Sequence, residues 1–420
     1  MIRKIKEFAL VFGPGILWAN IAIGETHLVL LPYAGALFGT SVLWIVLLVH
    51  VFYYPNFEYG PRYAVATGKS LLDGYWDTKV GKPLFWIFLA MTFVTPPLLM
   101  ASLGGLVGSV LYAAFPQVSF GIWCLVAYAL TLLLILSGRY KLIENIAKLL
   151  IVVIVAISVF AFFAEPPSVG VLLGGLVPTY VAASGFMLVV VAILRMPTDP
   201  TTSIFLSKWA QQKRREWGDD KAVLVSSLKK SLTDIRTGFV ISFFVAMVFL
   251  SLGAVVLRPL GIVPEGIDIS IRLAEIYTMT FGRWMFPIFI GAAFIAFWGT
   301  YMSAMDGMFR LFSNVIERLF EPSEKRNRLI TSAYLVVAAT AGLLMATVIQ
   351  RPIVLVLLAV SMGLIYYPAI FGMNIWCVTK QVDPEFRPGK LNLIVAFTGL
   401  VLGIGALVLL ILVRMLKVFG

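Results

Sequence analysis

The chain has 420 residues, 60% of them hydrophobic and only 13% charged, with a formal net charge of +12. A soluble domain sits nearer half apolar and a quarter charged, so the composition excludes an ordinary water-soluble enzyme or binding module. The positive balance gives no case for nucleic acid as a partner, because Lys and Arg fall in short segments on alternate sides of long apolar runs.

Each run is about 20 residues or more, enough to cross ~30 Å of hydrocarbon. The expectation is an all-α polytopic membrane protein of about 11 spans, with the lipid bilayer as its surroundings and one membrane domain over 1–420. The first span is expected over roughly 8–37 and contains Gly13-Pro14-Gly15, then Gly24-Glu25-Thr26-His27. No small-residue cleavage site follows the basic residues 1–6, so it reads as a retained span and not as a signal peptide. Spans two to five are expected over about 41–66, 84–113 (with Pro96 and Pro97 inside), 119–137 and 143–164. Span six is expected from about 172 to 208, followed by a basic loop over 208–236. The last five are expected over about 237–257, 280–311, 328–348, 352–378 and 392–416. Cys124 and Cys377 have no metal-ligand spacing and read as buried thiols.

With the N-terminus inside, 26 of the 33 Lys and Arg lie on the inner side, against Arg258, Arg272, Arg283 and Arg351 in outer loops. This bias predicts a cytoplasmic-membrane protein with an inside N-terminus.

Span six holds the most informative stretch. Its apolar start ends at Met196-Pro197-Thr198-Asp199-Pro200, where two prolines remove amide donors and clash with the preceding turn. Arg195 and Asp199 flank the break at a depth where charge is costly. Irregular backbone at that depth is tolerated only inside protein or along a watery cavity. The first span has its own interruption at Gly24, where glycine permits unwinding. Interrupted helices at corresponding places in two halves point to an inverted-repeat secondary transporter. The repeats are expected over about 8–164 and 172–378, with an extra helix over 392–416.

The expected substrate contacts are Gly24, Glu25, His27, Met196 and Asp199. Glu25 and His27 supply a carboxyl and an imidazole for a cation or proton, or they pair with each other or with Arg195. His27, Met196 and Asp199 are the expected metal contacts, the methionine favouring a softer ion over magnesium. Arg195 either balances these acids, holds a substrate carboxylate or anchors an acid elsewhere. Thr198, Tyr366 and Asn374 are further candidate wall residues. Asp306 is a coupling candidate, though it is also spaced to pair with Arg310 along one helix face. No nucleotide-binding loop or hydrolase motif is present, so no enzyme and no resident cofactor is expected. Monomer and homodimer both stay open.

Several motifs resemble the Nramp family of proton-coupled divalent metal transporters. They are Phe12-Gly13-Pro14-Gly15, Ala34-Gly35-Ala36-Leu37-Phe38-Gly39, Thr67-Gly68-Lys69-Ser70-Leu71, Gly138-Arg139-Tyr140-Lys141-Leu142-Ile143-Glu144 and Met196-Pro197, the last with Ser207 and Gln211 downstream. The resemblance implies a leucine-transporter-like fold of five-plus-five inverted repeats with broken helices one and six. It departs at the site. Where the family has Asp-Pro-Gly-Asn, this chain has Gly24-Glu25-Thr26-His27, and where it has Met-Pro-His-Asn, this chain has Met196-Pro197-Thr198-Asp199. The family's acids on helix three are missing near Pro96 to Leu99. The leading expectation is therefore alternating-access transport of a small cation, a divalent metal of the Mn/Fe/Mg class, without the family's usual proton coupling. The alternatives are a carrier of a small amino or organic acid and a ligand-binding sensor that does not transport.

Overall fold

The computed structural model describes residues 23–91, 93–137, 141–218, 220–320 and 324–419. The motif at 12–15, the first half of the expected first span, and residues 138–140 lie outside them. Among the described residues all regular structure is helical.

Helix α1 (Thr26–Phe38) opens on a π-helical turn, Thr26–Leu30, and continues as α-helix from Leu31. Expected span two is α2 (Leu43–Phe52) and α3 (Tyr54–Thr67), which meet at Tyr53 just before Pro55. The short α4 (Leu71–Trp76) starts on a reciprocal cap between Ser70 and Asp73, which satisfies two otherwise orphaned amides. Helices α5 (Gly81–Met91) and α6 (Thr95–Ala114) make up span three, and α7 (Phe120–Ser137) and α8 (Lys141–Ala164) spans four and five.

Span six does not begin near 172. Residues Val169–Gly175 form a separate short helix, α9, bent by 119° from the end of α8. The apolar helix before the break is α10 (Phe186–Ile193), and α11 (Thr202–Trp217) follows it. The stretch 208–236 is not a loop either, because α11 runs to Trp217 and α12 (Lys221–Leu252) starts four residues later. Leu224, Leu228, Leu232 and Ile235 form a buried stripe at helical spacing, which leaves the basic residues on the opposite face. A π-helical turn, Gly253–Leu257, prolongs α12.

The segment after it carries α13 (Ile269–Phe281), so span eight starts at α14 (Met285–Leu319) and extends beyond 311. Helix α15 (Glu324–Ile349) is span nine. Span ten is interrupted: α16 (Pro352–Met362) stops at Gly363, and α17 (Tyr367–Lys380) restarts just before Pro368. Proline restricts the residue ahead of it and cannot donate, so the interruption has a local cause. Helix α18 (Lys390–Phe419) is last.

Six helical segments among the described residues are long and apolar enough to cross a membrane singly, with the bent α8–α9 pair a seventh. The broken helices α1, α10 and α11 are too short to pass that test alone.

Helix α6 sits centrally against α7, α14, α15 and α16, while α1 lies along α12 and α11 along α3. The α1–α12 seam is closed by glycines. A Cβ on Gly35 would stand 2.1 Å from the Leu250 carbonyl oxygen, and one on Gly253 2.2 Å from that of Pro32. Small residues let the two backbones touch, the usual device where lipid gives no hydrophobic drive between helices. Outward-facing Leu133, Phe160, Val337 and Ile394 are exposed, an apolar surface suited to acyl chains. Cys124 and Cys377 are free and buried.

Candidate functional site

After Ile193 the backbone turns through Leu194–Thr201, with a cis Met196–Pro197 bond, before Thr202 restarts a helix. Asp199 organises this turn. Its Oδ1 accepts from the Thr201 amide at 2.9 Å and the Thr201 hydroxyl at 2.5 Å. Its Oδ2 accepts from Arg195 Nη2 at 3.0 Å and from the Tyr366 hydroxyl at 2.5 Å. Arg195 is 8% exposed, so this is a nearly dry ion pair. Such a pair persists in low dielectric only when further hydrogen bonds satisfy both partners. The carboxylate meets that condition, but Arg195 Nε is buried without a partner.

The break in span ten faces the break in span six. A Cβ on Gly363 would lie 2.9 Å from Arg195 Nε and 3.2 Å from Asp199 Oδ2, so only glycine lets the guanidinium lie against the chain here. Tyr366, in the same interruption, supplies the hydroxyl on Asp199. Beside it, Tyr53 and Tyr367 pack with ring centroids 4.4 Å apart, and both hydroxyls are buried without partners.

Gly24 lies at the bend ahead of α1. Glu25, just after it, is buried and accepts from Ser102 Oγ of α6 at 2.8 Å. Its carboxyl is also within Coulombic reach of Arg195. Arg195 therefore pairs with Asp199 and lies within Coulombic range of Glu25, so it feels an acid from each broken helix.

The other expected site residues are distributed differently. His27 Nε2 is 3.0 Å from Ser242 Oγ on α12, a polar partner for a buried imidazole. Met196, next to Arg195 in sequence, is completely buried. Thr198 is buried, its hydroxyl 3.4 Å from that of Thr202. Asn374 lies in a separate polar knot, donating to Asn56 Oδ1 at 2.8 Å and Ser203 Oγ at 3.0 Å, and accepting from Tyr75. Asp306 is half-buried on α14, and the side chain of its expected partner Arg310 lies outside the described residues. Among the described residues no three His, Cys, Asp or Glu side chains cluster closely enough to hold a metal by themselves. An ion here would need Met196 or backbone oxygens to complete its shell.

Sequence reasoning noted Ser102 as a polar group of span three without giving it a role, and missed Ser242, His50 and Gly363. Serines and a glycine in apolar runs leave no periodic signal. His50 did leave one, as half of the chain's total of two histidines.

The family model described as natural resistance-associated macrophage protein-like matches residues 15–413. An uncharacterised protein of Pasteurella multocida is 28% identical over 347 residues, covering 80% of this chain and 77% of that one. The divalent metal cation transporter MntH of Bacillus subtilis is 24% identical over 274 residues, 64% of this chain and 63% of that one. Among solved structures, a mutant of the Eremococcus coleocola manganese transporter superposes with a TM-score of 0.69 at 13% identity, covering 96% of this chain and 85% of that one. The nucleobase-cation-symport transporter Mhp1 follows with a TM-score of 0.58 at 13% identity, covering 96% and 90%. These likenesses give the fold, a leucine-transporter-like arrangement of helices. With nearly the whole length matched by the family model, the chain belongs to the Nramp family.

Proposed function

We propose that the protein is a secondary transporter of a small divalent cation in the cytoplasmic membrane, with its N-terminus inside, working by alternating access. One observation carries this reading: the buried Arg195 is paired with Asp199 in one interrupted helix and is within Coulombic range of Glu25 at the other. Two carboxyl groups face one guanidinium, so the site takes a further positive charge when both are ionised. Arg195 occupies the cation's place at rest. On entry of the ion, Arg195 moves toward Glu25 and Asp199 turns to the ion, with the Met196 thioether as a soft second contact. The exchange keeps a countercharge on each acid throughout, which a low-dielectric site requires. Missing acids near Pro96 to Leu99 support transport without the family's proton route on helix three.

Uptake of Mn2+ or Mg2+ into proteoliposomes tests this. Saturable uptake that Asp199→Ala abolishes is expected. Absence of uptake for every divalent ion tried would remove the reading.

A second reading is favoured by one feature. The unpartnered Arg195 Nε and the unpartnered hydroxyls of Tyr53 and Tyr367 are donors suited to a carboxylate. Stabilisation against heat by small amino or organic acids, with none by divalent ions, would select a carrier of organic acids instead.

A further inference from the structure

The expected span seven, 237–257, rises roughly 30 Å at ~1.5 Å per residue, which matches the hydrocarbon thickness of a bilayer. Helix α12 begins well before it, at Lys221. Arg236 therefore lies at the edge of the apolar layer. Lys229 and Lys230 lie about 10 Å farther along the axis, where a lysine side chain reaches the lipid phosphates. All three are on the side that faces the acyl chains. Phe244 and Val240 are exposed, and the same face continues turn by turn through Thr237, Arg236 and Thr233 to Lys230 and Lys229, all exposed as well. The opposite face is the buried stripe of Leu224, Leu228, Leu232 and Ile235.

We propose that this face of α12 binds the headgroup of an anionic phospholipid, with Arg236, Lys230 and Lys229 on its phosphate and Val240 and Phe244 along its acyl chains. The inner leaflet supplies that lipid, an assignment that rests on the inside N-terminus of the transport reading. Arg236 is set in place beforehand. Its Nε donates to the Tyr54 hydroxyl at 3.0 Å, and its guanidinium carbon lies 5.9 Å from the centroid of that ring. A planar fork held at one edge keeps its outer N–H groups for a phosphate oxygen. The lysines add point charges that attract an anionic headgroup within a Debye length. The Thr233 and Thr237 hydroxyls donate back to the carbonyls of Lys229 and Thr233, so the surface between the charges is neutral.

The described acids of this region are engaged elsewhere. Asp220 caps α12 by accepting from the Ala222 amide at 2.8 Å, and Glu385 holds Lys221 at 2.9 Å. Asp234 sits on the flank of the helix, within Coulombic reach of Lys213 on α11, and Glu58 is paired with Arg62. Residues 221–237 carry four basic side chains and one acid, so the face is positive. Charge complementarity selects an anionic headgroup over a zwitterionic one, and the adjoining apolar stripe selects a lipid over a soluble phosphate. Because Arg236 holds Tyr54, the first residue of α3, an occupied site also steadies the junction of α2 and α3 at Tyr53.

Native mass spectrometry of the full chain in detergent, titrated with phosphatidylglycerol or phosphatidylcholine, counts bound lipid directly. Phosphatidylglycerol is expected to bind the more tightly. Lys229→Gln and Lys230→Gln should each weaken it by about fivefold and leave phosphatidylcholine unaffected. Both substitutions alter exposed side chains only, and Lys229→Arg with Lys230→Arg should restore the preference. Equal binding of the two lipids by the wild type would overturn the proposal, and so would phosphatidylglycerol binding unmoved by both glutamines. Glycerol phosphate bound as tightly as phosphatidylglycerol would also overturn it, since the occupant would then be soluble. None of these measurements uses transport or sidedness. Absence of Mn2+ uptake would therefore sink the transport reading alone and leave the lipid result standing.

Discussion

Two polar regions of this apolar molecule are built on opposite terms. On α3, Glu58 accepts from Arg62 Nε at 3.0 Å and from Asn392 Nδ2 at 3.2 Å, while Arg62 Nη1 donates to the Phe386 carbonyl at 2.8 Å. Tyr59 donates to Asn392 and Tyr63 to Gln381, each at 2.8 Å. These side chains lace α3 to the segment joining α17 and α18 and to the first turn of α18, and nearly every polar atom finds a partner. At the meeting of α10, α11 and α16, by contrast, Asp199 is saturated while Arg195 Nε and the Tyr53 and Tyr367 hydroxyls have no partner. A fully satisfied network rigidifies, and a partly satisfied one marks where a ligand or a rearrangement supplies the missing partners. The lacing of α3 reads as a fixed frame, and the break reads as the working part.

The sharpest way to break this contrast is to remove one charge from the frame. Arg62→Ala strands Glu58, which is fully buried, and should cost about 3–5 kcal/mol, seen as a large drop in the detergent melting temperature. Asp199→Asn comes next. It keeps hydrogen-bonding atoms near Thr201 and Tyr366 but removes the countercharge of Arg195, for a loss of about 1.5–3 kcal/mol. Divalent uptake should disappear in that variant although the protein still folds. A variant at Asp199 more damaging to stability than one at Arg62 would reverse the assignment of frame and working part.

The sequence exposed these two regions unequally. The breaks at Gly24 and at Pro197 and Pro200 were legible because glycine and proline act locally, through backbone angles and a missing donor. The break at Gly363 has the same chemistry but sits in so apolar a run that hydropathy reads it as continuous, and Tyr366 then looked like a wall residue. The lacing of α3 was illegible for another reason. Arg62 reads as the end of a span, and nothing in periodicity brings Asn392 or the Phe386 carbonyl to it across more than 300 residues. His27 was legible as a buried polar group, but its contact with Ser242 was not, since that residue comes from α12. Charge alone misled at 208–236, where the apolar stripe of Leu224, Leu228 and Leu232 marks a helix beneath the basic residues.

A smaller effect tests the seam on which the break's movement would pivot. Gly35→Ala places a methyl against the Leu250 carbonyl, a backbone atom that cannot swing aside. Overpacking of this kind should cost about 1–3 kcal/mol, less than the loss at Arg62. Because α1 carries Glu25 and His27 at its start, the same variant should slow transport more than it lowers the melting temperature. Equal scaling of the two would place the α1–α12 seam with the frame.

The smallest expected effect lies at the frame's outer edge. Lys221 and Glu385 pair at 2.9 Å between the start of α12 and the segment that Arg62 holds from within. Both side chains are more than half exposed, so water solvates each charge almost as well as its partner does. The pairing raises the Lys221 pKa, first through its hydrogen bond with Glu385, but on so exposed a group that shift is screened. Lys221→Ala should therefore leave the melting temperature unchanged within error, at low and at physiological salt alike. A measurable, salt-dependent loss would mean that the segment joining α17 and α18 is held from outside as well as by Arg62, and the rigid frame would then reach the aqueous surface.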